Sequence, residues 1–537
     1  MGYMEHLLPN RTPQDRPIPG REHEMVKNDA GGYVFGTGVW AHLHRFIVLG
    51  TEGGTYYANE RHHTLRAGRA VWQAIAEDGL RAVEMVADIL ERGRAYRVAP
   101  GMLVLAMAAA SDDENVRRAA LEALPRVART GTHLFTFVRF LDELRGWGRM
   151  ARRYVGRWYT GQPVDRLAYR MIKYQSRTVD GQRWSHADVL RLAHPKPRNV
   201  SQDILFRWAT RGDVDTDVIS TDGDLRLLAV YETVRRAKTE NEIIRLIREH
   251  GLTWEFVPGQ WLGSRAVWEA LFPHLPYMAL VRNLGRLGAL GILKPLSSYV
   301  SETVRRITDA EAVRRSRVHP MHLLLALETY RRGAGMRGNL RWPVVAQVVD
   351  ALDQAFRFAF ENVEPSGSRI LIGLDVSGSM GAQILGTPLS ARTAAAAMAF
   401  VQVATEPLVH VMAFSDTFRE FPMSANDTVQ AITDRMARMP FGRTDCALPM
   451  LYALKHVIQV DTFIVYTDNE TWYGQVHPMQ ALAEYRREIN PNARLAVVGM
   501  TATNFTIADP NDPGTLDVVG FDTATPRILA DFAGGRV

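Results

Sequence analysis

One change of hydrophobic period, close to Pro365, limits what this 537-residue chain can fold into. Upstream of it, apolar residues recur at three- and four-residue spacing, as on amphipathic helices. Leu103, Ala106, Met107 and Ala110 form one such stripe, and Val116, Ala119, Ala120, Ala123, Leu124 and Val127 form another. The same spacing predicts helices at 134–145, 151–159, 164–178, 187–193, 224–237, 241–250, 265–271, 277–288, 300–307, 319–331 and 347–360, many of them separated by loops with Gly or Pro. Helices in that number bury their stripes by stacking as antiparallel pairs. Residues from about 65 to 360 are therefore expected to be an all-α solenoid, with no period regular enough to fix its repeat count.

Downstream the pattern alternates. RILIGLD at 369–375 reads as a buried strand, followed by a helix over 390–406, a strand over 409–415 and a helix over 426–438. A loop and helix from 441, a strand at 462–468, a helix at 478–489 and a strand at 494–500 complete the series. Apolar strands alternating with helices predict an α/β doubly wound, largely parallel sheet over 366–537, with its binding crevice at the carboxyl ends of the strands. Oxygen-bearing residues fall at such ends: Asp375, Ser377 and Ser379 in one loop, Thr444 before a helix, and Asp468 after a strand. Hydroxyls and carboxylates are hard donors suited to magnesium or manganese. This set resembles the metal-ion-dependent adhesion site of von Willebrand factor A domains. The resemblance implies a divalent cation, Mg2+ or Mn2+, approached by the serines and threonine and bound by the aspartates directly or through water, with one position open to a partner's carboxylate.

Charge divides along the same line. After Pro365 there are 12 Lys and Arg against 17 Asp and Glu, which leaves 52 against 41 before it, the asymmetry expected of a polyanion-binding N-terminal part. Of the basic residues six are Lys and 58 are Arg, and guanidinium groups clamp phosphates bidentately and stack on bases. Arg166, Arg170, Lys173 and Arg177 are spaced +4, +3 and +4. On one helix that puts four like charges on a single face over about 16 Å, unfavourable unless a polyanion lies along it. Tyr169 and Tyr174 adjoin the stripe, and Trp184, His186, Arg191, His194, Lys196 and Arg198 follow as a basic and aromatic cluster. The lone cysteine, Cys446, excludes a disulfide within the chain and any Cys-based zinc site. No 18-residue apolar run marks a membrane span, so a cytoplasmic address is expected. Residues 1–20, rich in Pro, read as a flexible arm whose Arg11 and Arg16, with Arg21 just beyond, are available to RNA.

Longer phrases carry a family resemblance. TDCALPM (444–450), YTDNETW (466–472), GQVHP (474–478) and FTIADP (505–510) look like the C-terminal domain of the Ro autoantigen family. HRFIVLGTEGGTYY (44–57), THLFTFVRF (132–140), WSHADVLRLAHPKP (184–197), RNLGRLG (282–288) and VHPMHLLLALETY (318–330) look like its TROVE module. The likeness covers roughly 15–535, and the Arg bias suits the bacterial members, the Ro sixty-related proteins. It implies a toroid of HEAT-like helical repeats over 21–365, closed by a von Willebrand A-like domain over 366–537 in a protein monomer. It also implies Y RNA on the outer basic surface, single-stranded 3′ ends of misfolded or precursor noncoding RNA in a central hole, and work with exoribonucleases such as polynucleotide phosphorylase in ribosomal RNA maturation and stress survival. The family's Y RNA contacts match Lys173, Arg177 and His194. Two departures stand out: Arg443 occupies a position where many relatives have Gly, and 200–224 matches poorly.

Two other classes compete with a non-catalytic RNA chaperone. A metal-dependent nuclease would want a second, carboxylate-bridged ion, and the chain has neither GxxxxGK[ST] nor HExxH. A protein-binding scaffold would use the metal-dependent domain alone. His62-His63 and His319-x-x-His322 read as a solvated loop pair and a helix-start pair.

Overall fold

The computed structural model describes residues 11–51, 60–179, 181–212, 214–335, 339–359, 364–384, 387, 389–440 and 442–536. The upstream part is helical from Val39–Leu49 to Ala346–Phe358. Local chemistry sets many of the boundaries. Asp113, Thr130, Asn199, Thr239, Ser264 and Asp309 each accept a backbone N–H at a helix start. Gly212 and Gly251 close helices in the left-handed conformation that glycine adopts without strain. The long helix Glu60–Glu91 bends at Asp78 (φ −155°, ψ 89°), and the next residue, Gly79, lies so close to Val116 that a Cβ would sit 2.6 Å from its methyl.

Helices upstream of Pro365 that the sequence expectation did not place include Val39–Leu49, Glu60–Glu91, Val200–Arg211, Thr216–Thr221 and Ala310–Ser316. Val200–Arg211 has both end signals, Asn199 and Gly212, but interleaves buried Gln202, Leu205, Phe206 and Trp208 with charged residues, which blurs the stripe. One expected helix is too long: the one placed at 164–178 stops at Lys173. The strands β3 (Ser176–Val179) and β4 (Gln182–Ser185) follow as a hairpin around Gly181, which takes φ +79°. Thr178 and Val179 favour extended backbone, and a glycine at the turn favours a hairpin over a continued helix.

The helical array returns on itself. Neighbours are joined along the way, as where Tyr277 Oη donates to the Ile307 carbonyl (3.0 Å) and Arg306 donates to that of Phe272 (2.8 Å). The last turn then meets the first. His319 Nε2 reaches the Arg94 carbonyl (3.1 Å), Arg317 donates to that of Glu91 (3.2 Å), and the Tyr96 ring packs 4.6 Å from His322. The C-terminal domain pins this seam. The same His319 nitrogen is 2.8 Å from the Phe521 carbonyl, and Asp522 takes Arg94 (2.6 Å) and His44 (2.9 Å).

That domain is built on a six-stranded sheet. Before it in the chain come the short strands β1 (Met25–Lys27) and β2 (Tyr33–Gly36). The sheet itself uses β5 (Ile370–Asp375), β6 (Val409–Phe414), β7 (Phe418–Glu420), β8 (Thr462–Thr467), β9 (Arg494–Gly499) and, after β10 (Phe505–Thr506), β11 (Thr515–Val519). The order is β11-β9-β8-β5-β6-β7, parallel except for β7 at the edge. β5 and β8 are buried along their whole length, as their unbroken apolar runs require.

The chain's beginning belongs physically to this domain, which corrects the expected arm and boundary. β2 pairs with both β1 and β10 in a three-stranded antiparallel sheet. Residues 11–20 lie along the domain, with Thr12 and Gln14 buried. Arg11 sits on Glu484 (2.8 Å) and Arg21 on Asp509, so these two guanidinium groups are committed to carboxylates.

Candidate nucleic-acid interface and metal centre

The structure spreads the predicted basic residues over two kinds of place. On the helix Val164–Lys173, Arg166 is exposed while Arg170 and Lys173 are half-buried. Arg170 donates to Gln162 Oε1 (2.5 Å) and lies 5.8 Å from the Trp158 ring; burial, then Arg166, lowers its pKa. Lys173 Nζ is 3.0 Å from Glu255 and 3.2 Å from Tyr169 Oη. Burial opposes its charge, but the bond to Glu255 and neighbouring negative potential raise its pKa overall, so it is a cation already partly neutralised. Arg177 is not on this helix. Its backbone pairs with Trp184 on the hairpin, and its side chain lies outside the described residues.

His186 is a correction to the predicted contact set. It opens the helix His186–Ala193, capped by Ser185 and Asp188, and its ring is enclosed. Nδ1 is 2.8 Å from Tyr159 Oη, Trp158 stacks at 5.9 Å, and the Phe135 ring meets it edge-on at 4.8 Å. Burial pushes its pKa down to about 3, so it is a neutral packing residue. Arg191, His194, Lys196 and Arg198 are exposed beyond it. Arg191 also donates to the Thr210 carbonyl. His194 ends the helix at φ +46°, a left-handed position costing a non-glycine residue on the order of 1 kcal/mol, and this turns the chain outward at that point.

A second basic face was legible in the spacing and was not singled out. On Arg149–Thr160, Arg149, Arg153 and Arg157 recur every four residues with Arg152 beside them, and all four are exposed. Among the described residues none of them forms an ion pair. Arg157 lies 4.4 Å over the Tyr154 ring. Gly156 of this helix approaches Pro195 so closely that a Cβ would lie 3.3 Å from the proline Cβ. The face therefore adjoins the segment carrying His194, Lys196 and Arg198. Separately, a cavity of 510 Å³ near the seam is lined by Tyr96, Arg282, Arg286, His322 and Trp342 among others, from two of the motif phrases and the elements around them.

The metal-ligand candidates converge. Asp375 ends β5, and its Oδ1 accepts the Ser377 N–H (2.8 Å) while Oδ2 accepts Thr467 Oγ1 (2.7 Å). Ser377 Oγ and Ser379 Oγ are 3.1 Å apart. The Gly378 N–H donates to the Gly442 carbonyl (3.3 Å), which ties this loop to the one carrying Thr444. Thr444 is buried, and its carbonyl accepts from the N–H of Trp472 (3.2 Å) and Tyr473 (3.0 Å), in the loop that follows Asp468. Asp468 Oδ1 accepts the Glu470 N–H (3.1 Å), and Ser379 bonds its carboxylate. Burial raises the pKa of both Asp375 and Asp468, and the charge of Asp375 raises Asp468 further. Two enclosed carboxylates that repel one another, ringed by hydroxyls, have the donor chemistry of a hard divalent cation, whose charge would offset that repulsion. Among the described residues no three His, Cys, Asp or Glu form a metal-binding group, so a site here needs those hydroxyls. The guanidinium of Arg443 lies 4.3 Å over the Tyr473 ring at the edge of these loops.

The histidine pairs have other work. His62 and His63 lie in the first turn of Glu60–Glu91 rather than in a loop, with His63 buried. His319 caps Pro320–Arg331, as expected of a helix-start residue. The Cys446 thiol is buried, and burial pushes its pKa up.

A self-closing helical array joined to an A-type α/β domain with a hard-oxygen pocket defines the class. The family comparisons agree with it: the model described as the TROVE domain matches residues 26–332, and the one described as the Ro60 vWA domain matches 369–533. The chain is 41% identical to a Deinococcus radiodurans protein named RNA-binding protein RO60, over 99% of this chain and all of that one. It is 32% identical to a Caenorhabditis elegans protein of the same name, over 96% of this chain and 90% of that one. The crystal structure of the Deinococcus radiodurans RO (RSR) protein superposes with a TM-score of 0.71 at 40% identity, covering 93% of this chain and all of that chain. The chain belongs to the Ro60 family.

Proposed function

We propose that this protein is a non-catalytic RNA-binding chaperone or adaptor of the Ro type. The observation that carries the reading is the adjoining pair of exposed basic faces, Arg149, Arg152, Arg153 and Arg157 beside His194, Lys196 and Arg198, on a family whose relatives are named for RNA binding. Arg166, Arg170, Lys173, Arg177 and Arg191 extend it. Phosphate contacts of this kind supply affinity without reading sequence, and RNA duplexes are recognised largely by shape. A structured stem-loop such as Y RNA docks on this outer face. The single-stranded 3′ end of a misfolded or precursor RNA enters the ring, where the cavity lined by Tyr96, Arg282 and Arg286 offers a ring and guanidinium groups to unstacked bases. The protein then presents such RNA to exoribonucleases such as polynucleotide phosphorylase, in the cytoplasm. Asp375, Ser377, Ser379, Thr444 and Asp468 hold Mg2+ or Mn2+, which would supply a Lewis-acidic position for a partner's carboxylate. Among the described residues no helix is long and apolar enough to cross a membrane.

Gel shifts test the reading. Wild type is compared with Arg149→Ala/Arg153→Ala/Arg157→Ala and Lys173→Ala/Arg177→Ala/His194→Ala, on a stem-loop and on a duplex with a single-stranded 3′ tail, at two salt concentrations. Each triple variant should weaken stem-loop binding by about tenfold or more and flatten its salt dependence, while tail binding largely survives. Wild type that binds neither RNA sinks the reading and leaves the protein-binding A domain as the function.

A further inference from the structure

Gln14, from the stretch that the sequence presents as an arm, and Asn28, between β1 and β2, reach the loops on which the metal reading rests. Gln14 is completely buried, and its amide joins two of those loops. Its Nε2 donates to Asp445 Oδ1 (2.7 Å) and to the Val476 carbonyl (2.8 Å), and its Oε1 accepts from Thr471 Oγ1. Its backbone is used as well, the N–H by the Gly474 carbonyl (3.1 Å) and the carbonyl by the Tyr33 N–H (2.8 Å). Thr471 Oγ1 in turn lies 3.2 Å from the Thr444 carbonyl. Asn28 Nδ2 donates to the carbonyls of Thr471 (2.7 Å) and Asn469 (3.3 Å). Asn469 directly follows Asp468 and sits at φ +66°, a strained position for a residue with a side chain. The Ala30 N–H donates to Glu470 Oε2 (3.0 Å), and Gly32 lies so close to Thr471 that a Cβ would fall 1.9 Å from its carbonyl oxygen.

The geometry points to residues 11–36 as the element that sets the spacing of the Thr444 and Asp468 loops, with Gln14 and Asn28 as positioning residues for the divalent cation. This rests on the metal reading above. Groups that orient ligands without touching the ion typically govern affinity by about 10–100-fold. Binding is also reciprocal: a cation that prefers the strapped arrangement must stabilise the strap.

Mn2+ alone is the probe, titrated into the full chain by calorimetry at a temperature where circular dichroism shows every variant folded. Gln14→Met, which keeps the volume and removes the amide, and Asn28→Ala should each weaken Mn2+ binding about tenfold or more. Arg16→Ala, on the exposed side of the same strap, should stay within about twofold in Mn2+ affinity, and stem-loop RNA affinity should be unchanged in the Gln14 and Asn28 variants. A variant-free arm uses hydrogen exchange in the wild type, where Mn2+ should slow amides in 11–36 together with those around 442–444 and 468–474. Native Mn2+ affinity in both variants, or protection confined to the loops, overturns the proposal while the metal reading stands. A wild type that binds no Mn2+ overturns both.

Discussion

Lys173, in the basic stripe, and His186, in the cluster that follows it, were both RNA-contact candidates, and their surroundings gave them different roles. Glu255, 82 residues further along the chain, partly neutralises Lys173, and Tyr159 with Trp158 encloses His186. Spacing reports which face a residue occupies but not what the next layer of helices brings against it. Glu255→Gln removes the carboxylate from Lys173 without touching a basic residue. Stem-loop affinity should rise, and the slope of log affinity against log salt should steepen by up to about one unit, read from gel shifts over a salt series. Unchanged affinity and slope would mean that Lys173 makes no RNA contact. The metal candidates were more legible, because Asp375, Ser377, Ser379, Thr444 and Asp468 lie in loops fixed by strand ends. The partners that hold those loops were not, since nothing in a Pro-rich N-terminus announces a buried Gln14.

Among the elements, the alternating strands and helices after Pro365 were readable because β5 and β8 are fully buried and therefore continuously apolar. The edge strand β7 and the partly exposed β11 lack that run and escaped notice. The helix Val164–Lys173 was extended too far because Arg177 keeps the basic spacing after the backbone has turned into β3. The same spacing argument would have found the basic face of Arg149–Thr160, whose relation to 194–198 depends on Gly156. Gly156→Val keeps every charge while wedging that helix from Pro195. Stem-loop affinity should fall by about tenfold, ~1.4 kcal/mol, if the two faces act as one surface, with native helix content by circular dichroism. Wild-type affinity would show that the faces bind independently.

At the scale of the molecule, the seam at His44, Arg94, His319 and Asp522 holds the array closed. Burial raises the Asp522 carboxyl, but hydrogen bonds from His44 and Arg94 outweigh it and keep the group well below the usual carboxylate range. Its contribution is complete above the unfolded carboxylate value near ~4 and is lost as pH falls below it. His42, His63, His133, His186, His319 and His322 act in the same direction: burial lowers each to about 3 or 4, so the unfolded chain takes up protons first as pH drops below about 6.5. Thermal unfolding should therefore move to lower temperature between pH 7 and pH 4. Asp522→Asn should cost about 1–3 kcal/mol at pH 7, since Arg94 keeps Asp88 but loses its enclosed carboxylate, and should reduce the acid sensitivity below pH 4. A melting temperature flat across that range would contradict this assignment.

The buried strap at residues 11–36 also has a consequence in time. Gln14 bonds to Asp445, Thr471 and Val476, so during synthesis this strap has no docking site until more than 400 further residues have been made after it. At the usual ~5–20 residues per second that wait is roughly 20–90 s. During it the growing chain can stack helices, but it cannot finish the domain that locks them, so completion of β11 and the turn carrying Asp522 is the event that pins the seam.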